Sequence, residues 1–309
     1  MTLRIGTRGS PLALAQANDV RARLIAAHGL HEDAVTIRVI KTSGDIIQDR
    51  PLSEVGGKGL FTKEIEEALL ANEIDLAVHS MKDVPTVLPQ GLFISTILKR
   101  EDVRDAFISL KYKSLAEMPA GSIVGTSSLR RQSQVKRARP DLKVIEFRGN
   151  VETRLRKIAD GVADATFLAL AGLNRLKLSD RATAAIDTGT MLPAVAQGAV
   201  GIEIRSNDTT IANALASLNH PETAICVAAE RAFLAKLEGS CRTPIAGLAE
   251  LTGSSLSFRG EILSPDGKDC YTTAHTGTAD KAEQIGIDAA RVLLDRAGPE
   301  FFAALHRRA

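Results

Sequence analysis

Ile74-Asp75-Leu76-Ala77-Val78-His79-Ser80-Met81-Lys82-Asp83-Val84-Pro85 decides how the rest of the chain is read. A short aliphatic run, introduced by Asn72, gives way to polar residues, so the stretch predicts a buried strand that ends in a loop. In an open α/β sheet, ligands gather at such strand ends. Asp83 stands beside a lysine and two residues before a proline, which keeps Val84 out of helix and restricts the loop. A lone carboxylate held there can stabilise a developing cation or relay a proton. The competing reading is a capping aspartate or a Lys-Asp surface pair.

Outward from this stretch, a length of 309 residues exceeds one ordinary core and predicts two or three domains. No apolar run is long enough to span a bilayer and no basic, apolar leader precedes the first strand, so the expectation is a soluble cytoplasmic protein without membrane contact. Cys226, Cys241 and Cys270 are too scattered for a disulfide framework or a zinc site, and the histidines are dispersed, with His28 and His31 lacking a ligand set. No metal is expected.

A net charge of +2 conceals a local excess: residues 126–157 hold ten Lys or Arg against Asp141, Glu146 and Glu152. Phe147 is the only aromatic there, so the segment lacks the stacking platforms of single-strand binders, and a nucleic-acid partner is not expected. Arginine outnumbers lysine seven to three in it, which suits fork-like pairing with carboxylates or phosphates, while a solvated helix face accounts for part of the excess.

Leu3-Arg4-Ile5-Gly6 opens the chain as a strand, followed by Thr7-Arg8-Gly9-Ser10 and a helix from Pro11. Ser10 suits an N-cap and Pro11 the first helical position, so free backbone N–H groups face the same side as Arg8 and form an anion site. Val35, Ile37 and Val39 alternate on a second strand that runs into the polar loop Lys41–Asp45. Val55-Gly56-Gly57-Lys58-Gly59 precedes a helix with Phe61, Ile65, Ala68 and Leu69 on one face. The spacing of its glycines fits neither nucleotide-binding fingerprint, and a flexible lid over roughly Ile46–Gly59 is the preferred reading, with an ordinary surface loop as the alternative.

Ile123-Val124-Gly125-Thr126-Ser127-Ser128, ahead of a helix near Leu129, echoes Ile5–Ser10, and Ala163–Phe167 echoes Ile74–Val78. Two echoes in one order predict two similar α/β lobes that aim strand ends and helix N-termini at a shared cleft. Val195–Ile204 then reads as a loop and strand crossing back into the first lobe. The last ninety or so residues differ: a helix near Glu222–Leu237 ending at Gly239, strands at Ile245–Leu251, Ser257–Leu263 and Cys270–Ala274, a turn at Ser264–Gly267, and a closing helix near Lys281–Arg296. The expected boundaries are 1–98 with 199–217, 99–198 and 218–309.

Cys226 falls mid-helix and Cys270 in a strand, where cysteine is usually a small apolar residue. Cys241 lies in the loop Leu237–Pro244. Arg242 favours its thiolate, but the preceding helix offers its negative end, so repeated nucleophilic turnover is disfavoured and a single reaction with a strong electrophile is easier.

Thr7-Arg8 with Ser10–Leu14, Gly57–Phe61, His79–Pro85, Gly125–Arg131, Arg148-Gly149-Asn150 and Glu238–Cys241 together closely resemble the porphobilinogen deaminase family, from residue 3 to about 250. The tail beyond Leu251 carries no matching motif. The resemblance implies two similar periplasmic-binding-protein-like α/β lobes around a cleft plus a small α+β C-terminal domain carrying the cofactor cysteine. It implies a transferase that joins four porphobilinogen units head to tail with loss of ammonia, then frees hydroxymethylbilane with water in tetrapyrrole biosynthesis. A dipyrromethane cofactor would be covalently linked through Cys241, whose thiol has only to trap one electrophile and then serve as an anchor. Asp83 matches the catalytic aspartate. Arg8, Arg130, Arg131, Arg148 and Arg154, with Arg175, match positions that bind the acetates and propionates of the linear oligopyrroles. Lys82, Ser10, Thr126 and Ser128 add hydrogen bonds, and Lys58 belongs to the mobile loop. A monomer is implied. Ala196 departs from the family, where glycine is common; if that position needs a positive φ, the hinge geometry changes. A non-catalytic two-lobed anion-binding receptor shares the fold logic but has no need of Cys241. A Ser-His-Asp hydrolase built from Ser80, His79 and Asp83 fails because neighbours on extended chain point apart.

Overall fold

The computed structural model describes residues 2–46, 59–239 and 243–308. In chain order its elements are β1 (Leu3–Thr7), α1 (Pro11–His28), β2 (Val35–Val39), α2 (Ser43–Ile46), α3 (Lys63–Leu70), β3 (Leu76–Ser80), β4 (Leu92–Ile97), β5 (Asp105–Ile108) and β6 (Ile123–Gly125). There follow α4 (Leu129–Ala138), β7 (Lys143–Ile145), α5 (Val151–Ala159), β8 (Ala165–Ala169), α6 (Leu170–Arg175), β9 (Ala184–Ala185), β10 (Val200–Arg205) and α7 (Thr209–Leu215). Last come α8 (Pro221–Lys236), β11 (Ile245–Thr252), β12 (Ser255–Leu263), β13 (Cys270–Thr278) and α9 (Ala282–Arg308). Two compact units result: among the described residues, 2–46, 59–101 and 198–224 form one, and 102–197, 225–239 and 243–308 the other.

In the first unit the sheet runs β2-β1-β3-β10-β4. Its first three strands are parallel, and β10 is antiparallel to both β3 and β4. Leu3, Ile5, Leu76, Val78 and Ile202 pack with Val20 and Leu24 of α1 in one buried cluster. The expected start of α1 is present, with Ser10 Oγ accepting the Ala13 N–H and Pro11 leading the helix. The expected crossing of residues 195–204 is also present, because β10 completes this sheet.

The second unit repeats the plan: its sheet runs β7-β6-β8-β5-β9, again parallel over the first three strands and antiparallel at the fourth. Even the sequence echo has a structural cause. Asp75 accepts the Arg4 N–H at 2.7 Å, and Asp164 accepts the Ile123 N–H at 2.8 Å, so each aspartate fastens its strand to the neighbouring one. The same unit holds a small three-stranded antiparallel sheet, β11-β12-β13. Phe233 of α8 meets Phe258 at 4.9 Å between ring centroids. Gly286 lets α9 approach α8, since a Cβ there would fall 2.0 Å from the Ala229 carbonyl oxygen. Two similar α/β lobes and a small C-terminal α+β domain are therefore the architecture.

Several local expectations need correction. Phe61 precedes α3 instead of lying on its face, and part of the Lys41–Asp45 loop is the short helix α2. The left-handed residue after α8 is Glu238 (φ 53), not Gly239. Gly239 is instead a close-packing site, where a Cβ would meet Ile245 Cδ1 at 2.4 Å. The closing helix runs past Arg296 and kinks at Gly298 (φ 73) before Pro299. Ala196 occupies the left-handed region, at φ 58, so the condition raised for that position is met. Residues 47–58 of the anticipated lid lie outside the described residues. Among the described residues, no helix is long and apolar enough to cross a membrane.

Candidate functional site

In the first unit, β3 delivers its end to a short turn, Met81–Asp83, and Val84 is extended ahead of Pro85 (φ −85, ψ 126). This turn leaves Asp83 exposed, and no ion pair or hydrogen bond engages its carboxylate among the described residues. Neither bland alternative, a cap or a Lys-Asp pair, describes it. Asp83 borders a cavity of about 60 Å³ that Arg8, Ser10, Gln16, Phe61, Thr62, His79 and Ser80 also line. The N-terminal turn of α1 contributes backbone N–H groups through Ser10, Leu12 and Ala13. Gln16 donates to Ser80 Oγ at 2.9 Å and fixes the end of β3 against α1.

Arg8 does not reach into the cavity alone. Its guanidinium pairs with Asp45 and lies 4.2 Å from the Phe61 ring centroid, an arrangement that fixes its plane. Burial works to raise the Asp45 carboxyl, but hydrogen bonds from Arg8 and Thr42 outweigh it and hold the group below its ordinary value. Lys82 follows on the Asp83 turn, half-buried. Lys58 and Cys241 lie outside the described residues.

Behind the cavity wall is a feature that sequence reasoning missed. His79 Nε2 sits 2.9 Å from Glu203 Oε2, with side-chain exposures of 4 % and 0 %. Glu66 of α3 is also buried, and desolvation pushes its carboxyl above the ordinary value, with the Glu203 charge adding to the rise. A legible signal existed: a glutamate centred in the aliphatic run Val200–Ile204 must be paired or neutral.

In the second unit, Ser128 Oγ caps α4 by accepting the Arg131 N–H, while Thr126 Oγ1 accepts the Ser128 N–H at 3.1 Å. Arg130 and Arg131 are brought together there, each 5 % exposed, and both bind Asp105 at 2.7 Å. Arg130 also donates to the Leu192 carbonyl and Arg131 to that of Phe167. Burial of Asp105 favours its neutral form, but the two guanidinium charges prevail and hold it ionised far below the usual carboxylate range. The two cations share Asp105 at the N-terminal end of α4, where the helix dipole is positive, and Glu261 also lies within electrostatic reach of Arg130. Gln197 Nε2 completes the group, 3.1 Å from Asp105 Oδ1. Asp105 was not singled out from the sequence, since nothing local marks an aspartate that begins a strand as the partner of a helix residue twenty-five positions later.

Arg148 and Arg154 flank the start of α5, whose N-cap Asn150 accepts the Thr153 N–H at 2.8 Å. Arg175 ends α6, where a cation complements the helix terminus. Arg8, Ser10 and Asp83 thus share one cavity, and Thr126, Ser128, Arg130 and Arg131 share one helix end. Among the described residues, no group of three or more His, Cys, Asp or Glu is arranged to hold a metal ion.

Two α/β lobes whose capped helix starts carry arginines, with the exposed Asp83 carboxylate lining a cavity, present groups suited to binding anions. The chain belongs to the porphobilinogen deaminase family. Residues 3–213 match the family model described as porphobilinogen deaminase, dipyrromethane cofactor binding domain, and residues 224–295 match its C-terminal domain. Porphobilinogen deaminase of Paracoccus denitrificans is 58% identical over 300 residues, covering 97% of this chain and 96% of that protein. That of Nitrobacter hamburgensis is 60% identical over 298 residues (96% and 94%), and the chloroplastic protein of Oryza sativa subsp. japonica 57% over 308 (98% and 86%). Such kinship sets aside the non-catalytic receptor. It makes the chain an enzyme of tetrapyrrole synthesis.

Proposed function

We propose that this enzyme joins four porphobilinogen molecules head to tail, releasing ammonia each time, onto a dipyrromethane held by a thioether to Cys241, and then releases hydroxymethylbilane by hydrolysis. The observation that carries the proposal is the exposed, unpartnered Asp83 carboxylate in a cavity that also presents the N-terminus of α1. The donor set fits the cofactor's chemistry. Each pyrrole ring brings an acetate and a propionate to be neutralised, and N–H groups that need an acceptor. When bound, the dipyrromethane supplies the pyrrole carbon to which the first substrate is joined.

The chain's own residues have separable tasks under this reading. Asp83 accepts pyrrole N–H groups and stabilises the positive charge that develops as ammonia leaves; being unpaired, it has its full charge to offer. Arg8, fixed by Asp45 and Phe61, and the α1 N-terminus orient substrate carboxylates. Arg130 and Arg131 contribute positive charge at the start of α4, with Arg148, Arg154 and Arg175 as further carboxylate partners and Thr126, Ser128 and Lys82 as hydrogen-bond donors. We also assign a third domain to 218–309, beside 1–98 with 199–217 and 99–198, and a monomeric enzyme acting in the cytoplasm on porphobilinogen and linear oligopyrroles, without nucleic-acid or membrane partners.

Intact-mass measurement tests the assignment. Wild-type protein should carry the added mass of two pyrrole units, Cys241→Ser should lack it, and turnover of porphobilinogen to hydroxymethylbilane should vanish with it. An unmodified wild-type chain with full turnover rejects Cys241 as the anchor.

A further inference from the structure

Each condensation releases a ring proton as well as ammonia, and the groups facing the Asp83 cavity divide unequally between those two tasks. Asp83 offsets the positive charge that develops as ammonia leaves, and a second group that takes up the ring proton afterwards leaves that carboxylate charged for the next unit. Arg8 is a permanent cation already paired with Asp45 and cannot accept a proton. His79 is the other titratable side chain lining the cavity.

Its surroundings have the form of a carboxylate–imidazole dyad. Glu203 of β10 lies 2.9 Å from Nε2 and is fully buried, while Nδ1 has no hydrogen-bond partner among the described residues. An ionised Glu203 selects the tautomer with hydrogen on Nε2, which leaves the Nδ1 lone pair as the acceptor. Glu66 of α3, buried in the same cluster, has its carboxyl raised by burial. The strands fix this placement: Gly201 of β10 lies opposite His79 of β3, with Glu203 two residues further along and opposite Ala77.

Building on the function proposed above, we infer that His79, oriented by Glu203, is the proton acceptor that completes each condensation. The bond that forms joins the substrate methylene to the α-carbon of the terminal pyrrole. The bond that breaks is the C–H of that carbon, whose electron pair restores the aromatic ring while the proton passes to Nδ1. Ammonia released in the same cycle takes the proton from the imidazolium and leaves as ammonium, which returns His79 to its starting state.

Two measurements test this. Nitrogen NMR of 15N-histidine-labelled holoenzyme should show His79 protonated on Nε2, with that resonance shifted in Glu203→Gln; an Nδ1–H tautomer in the wild type overturns the assignment. In single-turnover chain extension, His79→Asn should slow the step about 100-fold with KM changed far less. A primary isotope effect should then appear when the terminal ring of the enzyme-bound chain carries deuterium at its free α-carbon, installed by a preceding extension with α-deuterated porphobilinogen. A wild-type rate, or a slow rate without an isotope effect, also overturns it. Should His79→Asn fail to fold, Glu203→Gln serves in its place, with an expected loss of about 10-fold and the same isotope signature. The NMR arm requires no turnover, so it decides the imidazole's role separately from whether the condensation chemistry itself is correctly assigned.

Discussion

Replacing Asp105 with asparagine should destabilise the second unit more than any surface change. The carboxylate is fully buried and holds Arg130 and Arg131 at 2.7 Å each, with Gln197 Nε2 a third donor at 3.1 Å. Asparagine keeps the size but removes the charge, and its amide group presents donors to donors. Two buried guanidiniums are then left without a counter-charge, for which about 3–5 kcal/mol is the usual loss when one partner of a buried pair is removed. Against a total stability of about 5–15 kcal/mol, that is a large fraction. The melting temperature should fall by about 5–15 °C. Since the chain has no tryptophan, urea unfolding at neutral pH is best followed by far-UV circular dichroism. Asp105 is held ionised below its ordinary range, so its contribution is complete at neutral pH and is lost as acidification protonates the unfolded chain first. The gap between wild type and variant should therefore narrow in acid. A change below about 1 kcal/mol at neutral pH, or a gap that widens in acid, refutes the buried ionic cluster.

Asp83→Asn should lower kcat by about 100- to 1,000-fold while leaving the unfolding midpoint nearly unchanged, because the group is exposed and unpartnered; a matching loss of stability would show a structural role. Ala196→Gly should be close to neutral, within about 0.5 kcal/mol, since release from the left-handed region offsets the lost methyl and the added chain entropy. The same exchange at buried Ala199, which lacks a positive φ, should cost about 1 kcal/mol or more, and equal effects at the two sites in urea titrations would argue against backbone strain at 196. Glu66→Gln should stabilise the enzyme near neutrality and not in acid. The folded state retains the Glu66 proton above the range where the unfolded chain releases it, so wild-type stability declines as pH rises through that window; melting curves across pH 4–8, in steps of about one unit, would show a constant difference if the carboxyl were not raised.

What the chain revealed before its structure was known follows the range of the forces involved. The α1 start was readable because Ser10 and Pro11 satisfy local backbone demands, and β3 because Ile74–Val78 is an unbroken aliphatic run. The echo between Ile5–Ser10 and Ile123–Ser128 was readable for the same reason, with each copy combining a strand end and a helix cap. Arg8, Arg130 and Arg131 were readable as cations near helix ends, but not as cations already bound to Asp45 and Asp105, because those partners are brought in by other elements. The left-handed turn after α8 went to Glu238 instead of Gly239 because packing against Ile245 and Leu234 leaves no room for a side chain at 239. Glu203 was in plain view within Gly-Ile-Glu-Ile, yet its partner His79 is 124 positions away.

Glu203 and Asp105 each stand on the fourth strand of their sheet, and that shared location has a cause. In each sheet the first three strands are parallel and follow one another locally, whereas the fourth, β10 or β5, enters antiparallel from outside that run. Glu203 lies on β10 and engages His79 of the adjacent β3; Asp105 opens β5, opposite Ala169 of β8, and engages the start of α4. A strand supplied from outside the local βαβ run can carry a charge into the interior only if the receiving lobe already offers an opposite one, since an unmatched acid there would be expelled or neutralised. Each acid thus requires the correct fourth strand in the correct register: a one-residue slip would turn Glu203 to the other face of the sheet and away from His79. The same carboxylates that orient a histidine at one site and two arginines at the other therefore also specify how the chain crosses between its lobes, so selection for the chemistry and for the topology acts on the same residues.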